Sequence, residues 1–132
     1  MNEATIKELL SEEKLASLFP EERADQFFDA LFGDAAEGSY DIKLSFNKYD
    51  PKAHILQLGL ELHERPGKCL ACNLTHGLPE VFSRHPIINI KEVVAAIDQL
   101  LGDQATCKEW RLGATHAHSK GLHVIPLIIT LG

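Results

Sequence analysis

Long apolar runs, excess basic charge and paired cysteines are all missing from this sequence. No apolar run approaches the roughly 18 residues of a membrane-spanning helix, and the start, Met1-Asn2-Glu3, lacks the basic and apolar parts of a secretory signal. Lysine and arginine total 13 against 19 acidic residues, a net charge of −6, which argues against binding to a phosphate backbone. Three cysteines, an odd number, do not suggest a disulfide framework. We therefore expect a cytoplasmic protein without membrane or nucleic-acid partners.

Common catalytic signatures are missing as well. The chain has no glycine-rich phosphate loop, no Gly-x-Ser-x-Gly turn and no His-Glu-x-x-His helix. Its 132 residues, 45% hydrophobic and 24% charged, are average for a globular protein and fit one domain over residues 1–132. A chain of this length needs neither a disulfide nor a metal to fold.

Two amphipathic helices are well marked. The first follows Pro20, a favoured first helical residue, and ends at Gly33. The second begins at Asn89, with Glu92 three residues later as a variant capping box, and ends at Gly102. One or two shorter helices are expected in the amphipathic segment before Pro20. The apolar faces of the two marked helices comprise Ala24, Phe27, Phe28, Leu31 and Phe32 in the first, and Val93, Val94, Ala96, Ile97, Leu100 and Leu101 in the second.

Each marked helix is followed by two strand patterns. Apolar residues alternate with polar ones from Tyr40 to Phe46, from Leu56 to Leu62 and from Glu109 to Thr115. The last strand, about Leu122 to Leu131, is apolar almost throughout, and Pro126 within it predicts an edge strand or a bulge.

The two helix-strand-strand units resemble each other. The pattern Asp-x-Leu-x-Gly-Asp occurs twice, 69 residues apart, as Asp29-Ala-Leu-Phe-Gly-Asp34 and as Asp98-Gln-Leu-Leu-Gly-Asp103. We interpret this as an internal repeat, although two amphipathic units can also match by chance. The predicted fold is an α+β, two-layer αββαββ pseudo-repeat, with a four-stranded antiparallel sheet and helices on one face, a permuted ferredoxin-like order. Its parts are an N-terminal helical segment (1–19), repeat one (20–64), an insert (65–88) and repeat two (89–132).

The sheet face without helices is expected to be half apolar. Such a face can be a homodimer interface or a platform for an unknown protein or small-molecule ligand, or it can simply be solvated. Its predicted residues are the polar Lys43, Ser45, Gln57, Glu61, Arg111 and Thr115 and the apolar Ile55, Val124, Pro126 and Ile128.

The insert is too long and too apolar for a plain linker, and we expect it to pack, with a short helical turn near residues 79–83. Three segments of the chain, Arg23-Ala-Asp-Gln-Phe-Phe-Asp-Ala-Leu-Phe-Gly-Asp34, Cys69-Leu-Ala-Cys-Asn-Leu-Thr and Arg84-His85-Pro86, resemble a small family of uncharacterised bacterial proteins. The resemblance covers most of the chain. It implies a bacterial source, but it carries over no activity and no site residues.

The Cys69-x-x-Cys72 pair in the insert has three interpretations. Both thiolates can bind one structural zinc ion, with His76 and His85 as the local candidates for the remaining ligands and with Cys107 or His63 able to arrive from the strands. The pair can instead cycle between dithiol and disulfide, although the strand-then-helix context of such motifs is missing. Or the two cysteines can pack as small apolar residues.

Two weaker signals involve histidines. His116 and His118 share one side of a strand by the period of two, and a cross-strand His123 would complete three imidazoles for a zinc or iron site. Separately, Arg84 and His85 precede the second marked helix, whose N-terminus attracts anions, so an anion contact is possible there. In each case plain solvation is the alternative.

The sequence therefore favours a small cytoplasmic binding or assembly module, with a structural zinc in the insert as an option. A thiol redox protein or small enzyme that uses Cys69 and Cys72 is the alternative.

Overall fold

The structure, a computed structural model, describes residues 2–20, 22–33, 40–67 and 78–132. It contains helices and an antiparallel sheet, so the α+β prediction is confirmed. The helices are α1 (Glu3–Leu9), α2 (Glu12–Leu18), α3 (Glu22–Phe32), α4 (Leu78–Arg84) and α5 (Ile90–Leu101), and the strands are β1 (Tyr40–Asp50), β2 (Ile55–Glu64), β3 (Cys107–Leu112), β4 (His116–Ser119) and β5 (Leu122–Leu131).

The two marked helices lie close to their predicted bounds, although Pro20, predicted as the first helical residue, precedes α3. Asn2 and Ser11 cap α1 and α2 through side-chain oxygens that accept backbone N–H bonds. The start of α5 differs in detail, because Asn89 is left-handed (φ 47°) and does not cap with its side chain. Its amide instead donates to Glu92 at 2.7 Å. The predicted turn near residues 79–83 is the helix α4.

The sheet order is β1-β2-β5-β3, and β4 also pairs with β5. The sheet therefore has five strands where the sequence predicts four, because the strand expected over 109–115 ends at Leu112 and residues beyond 115 form a further short strand, β4. β3 pairs with Leu127–Leu131 of β5, and β4 pairs with its beginning, Leu122–Val124. The two edge segments are separated by Gly113, Ala114 and Thr115.

Alternate residues of the central strands form the core. Leu56, Leu58, Leu60 and Leu62 of β2 and Ile125, Leu127, Ile129 and Leu131 of β5 are buried, and they join the apolar helix residues in one cluster. Alternation places the intervening residues on the opposite side of the sheet, which we call the open face. The Phe27 ring of α3 packs edge-to-face on Phe82 of α4 and also on its neighbour Phe28, each with centroids 5.4 Å apart, so Phe27 joins the two helices.

Candidate functional site: the open face of the sheet

Three of the four predicted metal ligands, Cys69, Cys72 and His76, lie outside the described residues. The zinc, redox and packing interpretations of the cysteine pair therefore stay predictions. The fourth, His85, is described, as are Arg84 and the other histidine group.

His85 holds the turn between α4 and α5. Its Nδ1 accepts the N–H of Ile87 at 3.2 Å, and its ring lies edge-on to Phe27 with centroids 4.8 Å apart. A metal-bound histidine normally donates from its second nitrogen. A metal on Nε2 would place the remaining proton on Nδ1 and break the bond from Ile87. The geometry thus gives His85 a structural role at this turn.

Arg84 is directed to solvent, with 80% of its side chain exposed. Its Nη2 lies 3.6 Å from Oε1 of Glu80, one helical turn earlier. A carboxylate already next to the guanidinium competes with any external anion. The predicted anion contact at Arg84 and His85 stays a prediction.

The histidines of the last hairpin do not form the predicted triad. His116 pairs with Val124 and so lies on the open face, and His118 borders a depression on the same face. His123 pairs with Ala117 and lies on the covered face, 6% exposed. The prediction that His123 joins the other two is wrong, because the hairpin register shifts between Ala117 and Ser119. Among the described residues, no three His, Cys, Asp or Glu side chains are grouped to hold a metal ion.

An apolar stripe crosses the open face along its two central strands. The register pairs Gly59 with Pro126 and Gln57 with Ile128, so these residues share that side. Four of the five stripe residues are half-buried and one, Pro126, is buried, although no described helix packs on them. Leu122 belongs to the stripe and was missed because it begins its strand. Thr115, predicted on this face, is instead buried. The apolar stripe consists of Ile55, Leu122, Val124, Pro126 and Ile128.

Two glycines leave the middle of the open face without protruding side chains. Gly59 and Gly113 flank Pro126, and a Cβ on Gly113 would stand 2.8 Å from Cγ of Pro126. Shallow depressions lie on either side. One, of about 230 Å³, is bordered by Ser45, Gly59, Glu61, His118, Leu122 and Val124 among others. The other, of about 140 Å³, is bordered by Ile55, Glu109, Trp110, Arg111, Ile128 and Thr130. Neither is large enough for a drug-sized ligand.

The outer edge of β1 is covered. The carbonyl oxygen of Pro126 accepts a hydrogen bond from the N–H of Gly113 and therefore points toward the β3 side of β5. Pro126 consequently makes no backbone hydrogen bond to Gly59, its partner on β2. Counting along the ladders from this pair, the main-chain groups of Ile42 and Leu44 point outward from β1. Both residues are only 2% exposed, so the neighbouring helices shield this edge.

An ion pair closes the covered edge from the open-face side. Nζ of Lys43 on β1 contacts Oε1 of Glu12 at the start of α2 at 2.7 Å, and this contact lowers the pKa of Glu12. The opposite edge is divided at Gly113. Neither edge therefore offers the long, flat, uncovered strand that another chain extends by pairing.

The titratable groups show no activated nucleophile in the part of the chain that the structure describes. Burial, and then the nearby charge of Asp98, raise the pKa of the Cys107 thiol to about 11, so the thiol is protonated and unreactive near neutral pH. Burial also raises the pKa of the Tyr40 phenol. Both side chains therefore keep their protons near neutral pH.

Comparison with known proteins yields no match. No protein-family model, no curated protein and no solved structure matches this chain. The bacterial family, the internal repeat and the permuted ferredoxin-like order stay predictions. None of the described helices has the length and apolar character required to cross a bilayer.

Proposed function

We propose that this protein is a non-catalytic binding module and that the open face of its sheet is the docking surface. The observation that supports it is the apolar stripe: five apolar residues on two adjacent strands, with no described helix over them. A contiguous apolar patch on an otherwise packed domain is typical of an interaction site.

Two further observations favour docking through the face. Neither edge of the sheet offers a long uncovered strand for pairing, because helices shield β1 and the opposite edge is broken at Gly113. The described thiol, Cys107, is not activated. These observations favour binding through the open face of the sheet.

The insert enters the proposal as a separate, stabilising part. A structural zinc at Cys69 and Cys72 would stabilise the first part of the insert without taking part in docking. Because Nδ1 of His85 accepts the Ile87 N–H, His76 is the better third ligand. The support for zinc is the spacing of the cysteines alone.

Hydroxyl-radical footprinting tests the docking surface. The protein is oxidised at low concentration in buffer and at its native abundance in an extract of its source cells. Docking predicts that Leu122, Val124 and Ile128 become several-fold less reactive in the extract, whereas Val81, 42% exposed on α4, keeps its reactivity. Equal reactivity of the stripe residues in both samples would contradict the proposal.

A further inference from the structure

We infer that the occupant of the open face is a second copy of this chain, packed sheet against sheet. This inference rests on the proposed function and names its partner. Two copies would bury both apolar stripes at once in an isologous contact, the usual arrangement of homodimers.

The face has the area that a specific dimer needs. Four strand positions at about 4.8 Å spacing give a width of about 19 Å, and nine paired residues give a length of about 30 Å. One copy would therefore bury about 600 Å² and the pair about 1,200 Å², which reaches the lower bound of specific interfaces. The register from Ile55 to His63 against β5 supplies the nine residues.

The charge of the face also permits self-association. The chain carries a net charge of −6, which would repel a second copy across most surfaces. On the open face the charges nearly balance, because the register places three basic side chains there against four carboxylates. These are Lys43, Lys48 and Arg111 against Asp41, Asp50, Glu61 and Glu109.

The charges are also placed as in a protein interface. All of them except Glu61 lie on the outer strands β1 and β3, so they form a rim around the apolar stripe. Glu61 is paired, since its Oε1 lies 2.9 Å from Nε2 of His63. In the middle, Gly59 and Gly113 beside Pro126 let two sheets approach to the usual distance of about 10 Å.

Sedimentation velocity on the full chain from 5 to 500 µM, a range chosen to span roughly micromolar to millimolar affinity, tests the dimer. We expect the wild type to shift from monomer to dimer within this range. Val124→Asp places a carboxylate in the stripe and should weaken the dimer at least tenfold. Val81→Asp is the matched control, because it makes the same change at an exposed site on α4, and it should dimerise like the wild type.

Circular dichroism separates lost dimer from lost fold. If Val124→Asp does not fold, Ile128→Thr keeps a β-branched residue and replaces it in the test. A wild type that is monomeric throughout the range overturns the inference, as does a dimer that Val81→Asp breaks and the stripe variants keep. Stripe protection in the cell extract with a monomeric pure protein would assign the face to a different protein, and the proposed function would stand. If the stripe residues are not protected in the extract and the pure protein is monomeric, both proposals are overturned.

Discussion

The backbone N–H of Gly113 donates to the carbonyl oxygen of Pro126 at 2.8 Å, at the point where the edge of the sheet changes from β3 to β4. Pro126 lies in an interior strand, between β2 and the β3–β4 edge, where a proline normally costs a ladder hydrogen bond. Its nitrogen points to the same side as its carbonyl, toward the break. Neither β3 nor β4 pairs with Pro126, since their registers on β5 stop at Leu127 and Val124, so the proline interrupts no ladder on that side.

Gly113→Ala should destabilise the protein by about 1–3 kcal/mol, because the added Cβ has no room beside the proline ring. The ideal Cβ position is 2.8 Å from Cγ of Pro126. Gly121→Ala is the control, since its Cβ would meet nothing closer than Cβ of Glu64 at 3.9 Å. Urea unfolding measures both variants. Equal stability of the two variants would show that the Gly113–Pro126 contact is not tight.

Arg65→Met should cost about 1–3 kcal/mol, the range for lost hydrogen bonds to charged groups. The guanidinium of Arg65 binds Asp25 at 2.7 Å and Asp41 at 3.0 Å, lies over the Phe28 ring and is 16% exposed. It therefore ties α3 to β1 at the end of β2. Arg65→Lys should recover only part of the loss, because an ammonium group lacks the planar fork.

Arg84→Met is the matched control for Arg65, because the Arg84 side chain is 80% exposed and its carboxylate contact is 3.6 Å long. We expect a change of at most about 0.5 kcal/mol in the free energy of unfolding, as for exposed ion pairs within a helix. Thermal and urea unfolding of the two methionine variants under the same conditions make the comparison. Equal losses would contradict the structural role assigned to Arg65.

Cys107 should alkylate slowly and with an unusual pH dependence. Burial and the charge of Asp98 hold its pKa near 11, so its thiolate fraction should keep rising past pH 10. An ordinary thiol, with a pKa of about 8.5, approaches full ionisation by then. Iodoacetamide rates on the Cys69→Ser/Cys72→Ser variant, in which Cys107 is the remaining thiol, measure this directly. A rate that levels off by pH 9 would contradict it.

The same raised pKa links stability to pH. The unfolded thiol releases its proton near its ordinary pKa, while the folded thiol keeps its proton until about pH 11. The contribution of the protonated Cys107 thiol to the free energy of unfolding is therefore fully present below about pH 8 and decreases as the pH rises toward 11. Cys107→Ala should flatten this part of the stability profile, measured by urea unfolding at a series of alkaline pH values.

Metal content separates the roles of the insert residues. If the insert holds zinc, as proposed, protein purified without chelators or a histidine tag should carry about one ion per chain, and Cys69→Ser/Cys72→Ser should carry none. His85→Asn should keep the metal yet lose stability, because it loses the packing of the ring on Phe27. Loss of zinc in His85→Asn would instead make His85 a ligand. Absence of metal with slowly reacting thiols would leave packing as the role of the cysteines.

Most of the fold could be predicted because the signals are local. Pro20, Gly33 and Gly102 bound the two marked helices, and alternation of apolar residues sets the strands. The face assigned to Lys43, Gln57 and Arg111 follows from the same alternation and agrees with the register.

The errors concern features that depend on the pairing of distant strands. His123 lies on the covered face because of a register shift in its hairpin, and Thr115 is buried where the edge is divided. The shielded edge of β1 depends on where α2 lies, which periodicity does not specify. The pairing of Glu61 with His63 at one end of the open face also could not be predicted from the sequence pattern.

The adjacency of β2 and β5 has a kinetic consequence. Ile55 pairs with Thr130 and His63 with Leu122, so the central ladder joins residues about 60–75 positions apart in the chain. Each hairpin can form early from local contacts, but the sheet is complete only when the two halves meet. Non-local pairing of this kind slows folding toward the millisecond-to-second range. Until β5 pairs with β2, the core leucines of β2 and the core isoleucines of β5 remain exposed to water. The partly folded chain with both sets exposed is therefore the species most prone to aggregate.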